Sequence, residues 1–457
     1  MIESSCSSRW GATRMTRVIR ALVLALVLGA GLLGAPVALA VPSFARQTGL
    51  ACSACHVRFP ELTAFGREFK LNGYTLTDHT KQIEASDADQ RSSLELLELP
   101  PISVMFEAAY TSTMKSVPDA QNDDAQFPQQ LSAFLAGKVA PKMGAFVQMT
   151  YTQEDDKFGI DNADVRFASQ TTLGGVSVQY GLTLNNAPTV EDLWNSTPVW
   201  GFPWAGPDQS PAPHAATLIE GGLAQDVAGL GGYAMLGGSI YVAATAYRSA
   251  HLGSGAPSPG SENTIEGAAP YWRLAWQKHF SHTDLEIGTY GLHAKLMPDG
   301  IDGPTDDYTD VAADFQLERA VGNDTLTVHG SFVHEDQRLA ASVAAGAAAG
   351  KSGSLDSLRL DAGYHVGRFM PTLGFFATSG SHDATLNAPA PVDGSANGKP
   401  DSRGLIAQIA YFPWLNTQLT LQYTGYDKFN GKRNDYDGFG RDAADNDSLF
   451  LVAWFAW

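Results

Sequence analysis

From about residue 101 to the C-terminus, apolar and polar residues alternate with a period of two. In Val176-Ser177-Val178-Gln179-Tyr180-Gly181-Leu182-Thr183-Leu184-Asn185 every even position is apolar and every odd one small or polar. Leu358, Leu360, Ala362, Tyr364 and Val366 likewise alternate with Arg359, Asp361, Gly363 and His365, and "LNTQLTLQYT" over 415–424 keeps its odd positions mostly apolar. Successive side chains of a strand point to opposite faces, so each run is a strand with one greasy and one polar face. Runs of about ten residues suit a tilted membrane-crossing strand, although the strands of a soluble sandwich alternate too.

The spacing of the runs separates these two readings. Strands are predicted near 102–113, 131–139, 144–153, 161–171, 174–185, 216–224, 238–248 and 270–281. They continue near 283–293, 308–319, 323–335, 354–366, 368–378, 403–412, 415–426 and 447–457, sixteen in all. Long polar connections (114–130, 186–215) alternate with short ones (140–143, 172–173) and with tight turns near His282, Val321, Gly367 and Pro413. Short turns at one rim and long loops at the other are the pattern of an outer-membrane barrel. The alternation is faintest at 216–224, so fourteen strands also fit. The chain ends in Leu449-Phe450-Leu451-Val452-Ala453-Trp454-Phe455-Ala456-Trp457, the apolar closing strand a barrel needs to leave no open edge. No stretch after the N-terminus reaches about eighteen consecutive apolar residues, which excludes helical spans.

The first hundred residues follow another logic. Arg14, Arg17 and Arg20 precede an apolar run from Ala21 to Ala35, and Ala38-Leu39-Ala40 gives a small-x-small cleavage pattern, so 1–40 reads as a secretory signal peptide. Its removal takes Cys6 and leaves Cys52 and Cys55, both inside "ACSACH" at 51–56. Cys-x-x-Cys-His is the attachment signature for c-type haem, with thioethers at Cys52 and Cys55 and His56 as proximal iron ligand. Residues 41–95 therefore read as a small helical domain carrying one covalent haem, with a polar linker at 77–93. Pro60 is expected in a first helical turn and Asn72-Gly73 at a helix end. Between them Leu62, Phe65 and Phe69 share one face that would cover the porphyrin. The barrel occupies 101–457. The fold class is thus an all-β transmembrane barrel of about sixteen antiparallel strands with a helical haem domain plugging its lumen.

Residues 1–40 carry four Arg and one Glu, so their loss takes the formal charge from −18 to about −21. That disfavours nucleic acid as a partner and favours cations or a basic redox protein. A barrel of this size leaves a channel wide enough for such a plug. An external donor could then reduce the iron, and the electron would leave to a periplasmic carrier. An even strand count puts both termini in the periplasm and the long loops outside the cell. The expected surroundings are outer-membrane lipid, reached through the barrel-assembly machinery.

Two blocks resemble a known family. The segment from Ala40-Val41-Pro42-Ser43-Phe44-Ala45-Arg46-Gln47-Thr48-Gly49 through the haem motif to Pro60–Tyr74 is similar to the N-terminal block of the fused monohaem cytochrome–porins of the outer membrane. Leu184–Asn195, followed by Thr197-Pro198 and Gly201-Phe202-Pro203, resembles that family's large-loop signature. The resemblance implies oxidation of extracellular Fe(II) at the haem and transfer to a periplasmic cytochrome, an Fe(II):cytochrome c oxidoreductase activity. The alternatives are a haem-plugged passive porin and a conduit for a different external donor or acceptor.

The sixth haem ligand is open. His79 and Met105 are the nearest downstream candidates, while His279 and His365 fall on lumen-facing parity. Arg46, Arg58, Arg67 and Lys70 flank the haem segment and suit its propionates. Acid clusters recur in the loops: Asp119, Asp123 and Asp124; Glu154, Asp155 and Asp156; Asp302, Asp306 and Asp307; Asp435, Asp437, Asp442 and Asp445. Their hard oxygen donors suit transient capture of Fe(II), against the plainer reading of solvated loops. Trp194, Trp200 and Trp204 mark an in-folded loop constricting the pore. Gly159-Ile160-Asp161 and the Gly-rich 228–238 stretch read as turns, and the Ala/Gly run 341–350 as a loop.

Overall fold

The structure is a computed structural model that describes residues 41–76, 82–86, 92–97, 100–118, 122–152, 157–250, 264–298, 302–414 and 416–457. The expected signal peptide and His79 lie outside the described residues. Two short helices open the chain, α1 at Pro42–Thr48 and α2 at Ala64–Leu71. The expected linker holds a hairpin instead, Gln82–Ser86 paired with Ser92–Leu97.

Sixteen long strands follow among the described residues and close into one antiparallel barrel. They are β1 Ile102–Thr113, β2 Asp124–Ala140, β3 Met143–Thr152, β4 Lys157–Leu173, β5 Val176–Asn185, β6 Val227–Leu236, β7 Ile240–Ser249 and β8 Ala269–Phe280. The second half comprises β9 Thr283–Met297, β10 Asp306–Val321, β11 Asp324–Arg338, β12 Ser352–His365, β13 Phe369–Gly380, β14 Ser402–Trp414, β15 Thr417–Lys428 and β16 Ser448–Ala456. Each strand pairs with the next, and β16 pairs with β1 from Ser448↔Thr113 to Ala456↔Met105. Val104 and Trp457 exchange backbone hydrogen bonds of 2.9 and 3.0 Å, so the barrel begins and ends at the rim of short turns.

The alternation seen in the sequence is inside out relative to a soluble sheet. On β5, Leu182 and Leu184 are exposed on the outer wall, while Thr183 and Asn185 are buried toward the lumen. Leu230, Leu274, Ile287, Val311, Leu373 and Leu405 repeat this on other strands. Such a wall buries its apolar surface only against lipid.

Four sequence expectations fail locally. No strand forms at 216–224; Thr217 caps a 3₁₀ turn at Leu218–Glu220 with a reciprocal Thr217–Glu220 capping box. The sixth strand is the glycine-rich stretch itself. On it Gly229 and Gly231 face the lumen, where an added Cβ would lie 2.3 Å from the Tyr247 ring and 2.1 Å from Thr245 Oγ1. Gly159-Ile160-Asp161 lies within β4 rather than in a turn. The 341–350 run opens with a short helix, α3 at Ala340–Ala345, whose Ala341 and Ser342 amides are received by the buried Asp306 carboxylate at 2.7 and 3.1 Å.

Residues 41–76 fill the lumen and touch the wall on opposite sides. Lys138 on β2 donates its amide to Gln47 Oε1 at 2.8 Å, and Tyr74 donates to Asp164 on β4 at 2.8 Å. Arg67 reaches Glu318 on β10 at 2.5 Å, and Arg58 pairs with Asp361 on β12. Charged groups inside a barrel survive only when paired, and these pairs fasten plug to wall.

Candidate functional site

The Cys-x-x-Cys-His stretch is a compact turn backed by α2. Cys52–Ala54 form a 3₁₀ turn that closes with Cys55 N to Cys52 O at 3.1 Å. Thr63 caps α2 by accepting from Gly66 N at 3.1 Å and simultaneously donates to Ala54 O at 2.5 Å. Its own amide donates to Cys55 O at 2.9 Å. The helix thus starts at Ala64 after a polar cap, not at Pro60, which stays outside it. Gly66 is where helix and turn meet most closely: a Cβ there would lie 2.2 Å from the Cys55 carbonyl oxygen. Asn72 ends α2, with Gly73 N to Lys70 O and Tyr74 N to Phe69 O, both at 3.0 Å, completing a Schellman cap.

Cys52, Cys55 and His56 line one cavity. Its apolar walls are Phe44, Leu62, Phe69, Phe146 and Trp200, and Lys70, Gln148 and Asn195 contribute polar groups. Phe65, expected on this wall, is 37% exposed and points elsewhere. Burial pushes the His56 imidazole down to about 4, the Pro60 backbone opposing it only in part. Its Nδ1 is buried without a hydrogen-bond partner. The Cys55 thiol is pushed up to about 11, by burial first and by Cys52 beside it second. A buried, neutral imidazole with an unsatisfied ring nitrogen suits a metal-ligating histidine. Two thiols beside that imidazole and the aromatic walls around them fit a c-type haem, which Cys52, Cys55 and His56 would hold.

The other expected ligands are elsewhere. Met105 is buried and faces the lumen in an apolar cluster with Phe69, Tyr74 and Trp200, but it does not line the cavity. His365 packs on Phe412 at 5.7 Å. His279 pairs with Asp284 at 2.9 Å and lines a separate polar cavity with Arg67, Glu68 and Trp194. Among the described residues lining this cavity, His56 is the only histidine and there is no methionine.

The basic residues divide similarly. Arg58 is enclosed by Glu61, Asp361 and His329, which are therefore engaged by a guanidinium. Arg67 belongs to Glu318 and the Leu62 carbonyl, and Arg46 donates to Ile102 O. Of the four expected propionate partners only Lys70 reaches the cavity wall. Its Nζ donates to Val190 O at 2.8 Å, Asp192 O at 2.5 Å and Asn195 Oδ1 at 2.8 Å, and lies 4.8 Å above the Trp200 ring. Burial pushes the Lys70 ammonium down to about 7.

Those acceptors belong to the long connection between β5 and β6, which folds into the lumen. Its turn is organised around the buried Asp192, whose Oδ2 receives Ser196 N at 2.9 Å and Thr197 N at 3.3 Å. Arg273 on β8 pins Asp192 at 3.0 Å and also holds Glu286 and Asp314 at 3.1 and 2.8 Å. Glu191 accepts from Thr245 at 2.7 Å and Tyr247 at 3.0 Å. Trp194 is buried against Tyr241, Trp200 lines the cavity, and Trp204 packs on Phe59 at 5.2 Å. Plug and loop together occupy the lumen.

The acid clusters of the outer loops are builders of turns. Asp437 accepts from Phe439, Arg441 and Val392 amides, Asp442 from Asp435, and Asp445 from Asp442 while pairing with Lys115 at 2.9 Å. Asp123 accepts from Ser112 at 2.5 Å. Asp119 and Glu154–Asp156 lie outside the described residues. The Asp437, Asp442 and Asp445 carboxylates are committed to amides of their own turns.

No protein-family model matches the chain, and no curated protein matches it. Solved structures similar to it include in-vitro folded OmpT, an outer membrane protein of Vibrio cholerae, at a TM-score of 0.42 and 10% identity over 78% of this chain and 96% of that one. Salmonella typhi OmpF in complex with daunomycin gives 0.41 and 13% over 78% and 97%. The outer membrane channel DcaP of Acinetobacter baumannii gives 0.41 and 12% over 78% and 96%.

Proposed function

We propose that this protein is an outer-membrane electron conduit: a lipid-embedded barrel whose lumenal plug carries one c-type haem at Cys52, Cys55 and His56. Electrons from an extracellular donor, ferrous iron, would leave to a periplasmic c-type cytochrome or another carrier. The observation that carries this reading is the Cys-x-x-Cys-His turn lining an aromatic cavity inside a closed barrel, with a buried and unpartnered nitrogen on His56. The bound group supplies one-electron chemistry at its iron. The chain's own residues do the rest: Phe44, Phe69, Phe146 and Trp200 exclude water from the cavity, and Arg58 and Arg67 fasten the plug so that its position is fixed.

Iron as the donor rests on the family resemblance of the 40–74 and 184–203 segments alone. The test is direct. Protein purified from outer membranes should contain one haem per chain by pyridine haemochrome assay, resistant to acid–acetone extraction. Its visible spectrum should turn ferrous within seconds of adding Fe(II) at neutral pH. A haem that stays ferric under Fe(II) but is reduced by dithionite would redirect the donor. A barrel without covalent haem would end the reading. The alternative, a passive porin with a haem plug, predicts solute-permeable pores in planar bilayers, whereas the filled lumen predicts nearly closed ones.

A further inference from the structure

Arg58 stands where three acceptors from plug and wall converge. Its Nη2 contacts the carboxylates of Glu61, on the plug, and Asp361, on β12, and lies 3.3 Å from Nδ1 of His329 on β11. His329 and Asp361 are cross-strand partners, so the wall fixes both. The His329 Nδ1 atom is 3.2 Å from Glu61 Oε1 and 3.3 Å from Asp361 Oδ1. An Nη2 group carries two hydrogens, too few for three acceptors. The cluster shows the shortfall: Glu61 Oε2 and His329 Nε2 are buried without a hydrogen-bond partner, on residues 3% and 7% exposed. Among the described residues, no other three His, Cys, Asp or Glu side chains bring their ligand atoms this close, all within 4.8 Å of one another.

We infer that Glu61, His329 and Asp361 form a binding site for one divalent first-row transition-metal cation, which takes the position of the Arg58 Nη2 group. Two carboxylate oxygens with one imidazole nitrogen are a donor set for Mn(II), Fe(II), Co(II) or Zn(II), whereas Ca(II) and Mg(II) take oxygen alone. Metal bonds of about 2.0–2.2 Å to donors 3.2 and 3.3 Å apart subtend about 100° at the ion, between the octahedral and tetrahedral angles. Charge favours the exchange. Two buried carboxylates facing one guanidinium and a neutral imidazole keep an excess negative charge, which a dication in the same place removes. Arg58 retains partners when it yields the oxygens: its Nη1 donates to Thr372 Oγ1 at 3.4 Å, and the guanidinium lies 5.0 Å from the Phe202 ring. Because Glu61 belongs to the plug and the other two ligands to the wall, the ion would clip plug to barrel as Arg58 does. The site needs no haem, so its test is independent of the reading given above.

The test titrates full-length, untagged barrels, first stripped with EDTA, with Mn(II) and follows electron paramagnetic resonance, in which binding removes the six lines of the free ion. One tightly held Mn(II) per chain is expected, with the ¹⁴N spin-echo modulation of a bound imidazole. His329→Ala should abolish that modulation. Glu61→Gln and Asp361→Asn should each weaken binding about tenfold or more, since even the partners of metal ligands are worth about 10–100-fold. Arg58→Met removes the competing cation and should tighten binding, opposite in sign to a variant that only loosens the plug. Should H329A not assemble, His329→Gln keeps the bulk without the imidazole and reads the same modulation. Mn(II) bound without nitrogen modulation in the unmutated protein, modulation that persists without the His329 ring, affinity unchanged in E61Q and D361N, or R58M binding no tighter would overturn the inference.

Discussion

Replacing Gly66 by alanine probes the contact between α2 and the Cys-x-x-Cys-His turn, on which the proposed haem site depends. The added methyl would sit 2.2 Å from the Cys55 carbonyl oxygen, 3.0 Å from its carbon and 3.1 Å from its Cα. All three are backbone atoms of the attachment turn, so no flexible side chain can swing away. Either α2 retreats from the turn by about an ångström or the Cys55 peptide rotates. Forcing an extra methyl into a packed contact costs about 1–3 kcal/mol. The displaced oxygen is also the acceptor for Thr63 N–H at 2.9 Å, whose loss adds about 1 kcal/mol. The total, about 2–4 kcal/mol, falls on a segment of 36 residues and not on the barrel, which has its own closed hydrogen-bond network. G66A should therefore reach the outer membrane as a folded barrel, seen as a heat-modifiable band on denaturing gels. Its covalent haem per barrel should drop several-fold, and haem-reported thermal unfolding should shift down while barrel unfolding does not. Unchanged haem content together with an unchanged haem-reported transition would show that α2 and the Cys-x-x-Cys-His turn do not meet as described.

Other consequences are as direct. Arg273→Ala leaves Asp192, Glu286 and Asp314 buried without their shared cation, a loss of about 3–5 kcal/mol, so the in-folded loop should detach and single-channel conductance in planar bilayers should rise. Acid should do the same at the other partner. Burial alone would raise the Asp192 carboxyl, but Arg273 and then Lys70 hold it below its ordinary value. Its contribution is fully present above about pH 4 and is lost as pH falls below that, so conductance should stay low down to that pH and increase only beneath it. Lys70, pushed down to about 7 on the cavity wall, loses its positive charge as pH rises through neutrality. The haem potential should consequently fall across that range, and Lys70→Met should flatten the dependence. Cys52→Ala with Cys55→Ala should give a barrel that migrates normally but lacks acid-stable haem absorbance.

How much of this architecture is legible in the sequence depends on who supplies the second partner of each contact. The strands are legible because lipid on one side and a polar lumen on the other impose a period of two on every one of them, and Ile102–Thr113 is found where the pattern puts it. The sixth strand is hidden for a reason the structure makes plain. Glycine weakens a strand on its own account, and Gly229 and Gly231 look like turn residues until Tyr247 and Thr245 of the neighbouring strand occupy the space a side chain would need. The same one-sided view put Pro60 in a helix, although the cap Thr63-Ala64-Phe65-Gly66 stands in the sequence. Thr63 has no reason to be the start until its hydroxyl is seen bridging Ala54 and Gly66.

At the site the division is sharper. Cys52, Cys55 and His56 are adjacent in the chain, so five residues state the proposed haem chemistry, in which thioether attachment and axial ligation would use neighbouring atoms of one ring system. What surrounds them comes from far away: Phe146 from β3, Trp200 and Asn195 from the long loop, each fixed by a barrel wall that the local sequence does not mention. The basic residues show the cost of reading without that wall. Arg58 and Arg67 are near the motif in sequence and look available for propionates, yet the lumen presents Asp361 and Glu318 to them, and a buried guanidinium cannot stay unpaired. Lys70 is the exception because the loop offers it mainly carbonyl oxygens, which satisfy its protons without neutralising its charge. A plug whose arginines are spent on anchorage and whose one cavity-facing lysine is charged only below about neutral pH would, on the proposed reading, hold a redox group still and bias it electrostatically in a pH-dependent way.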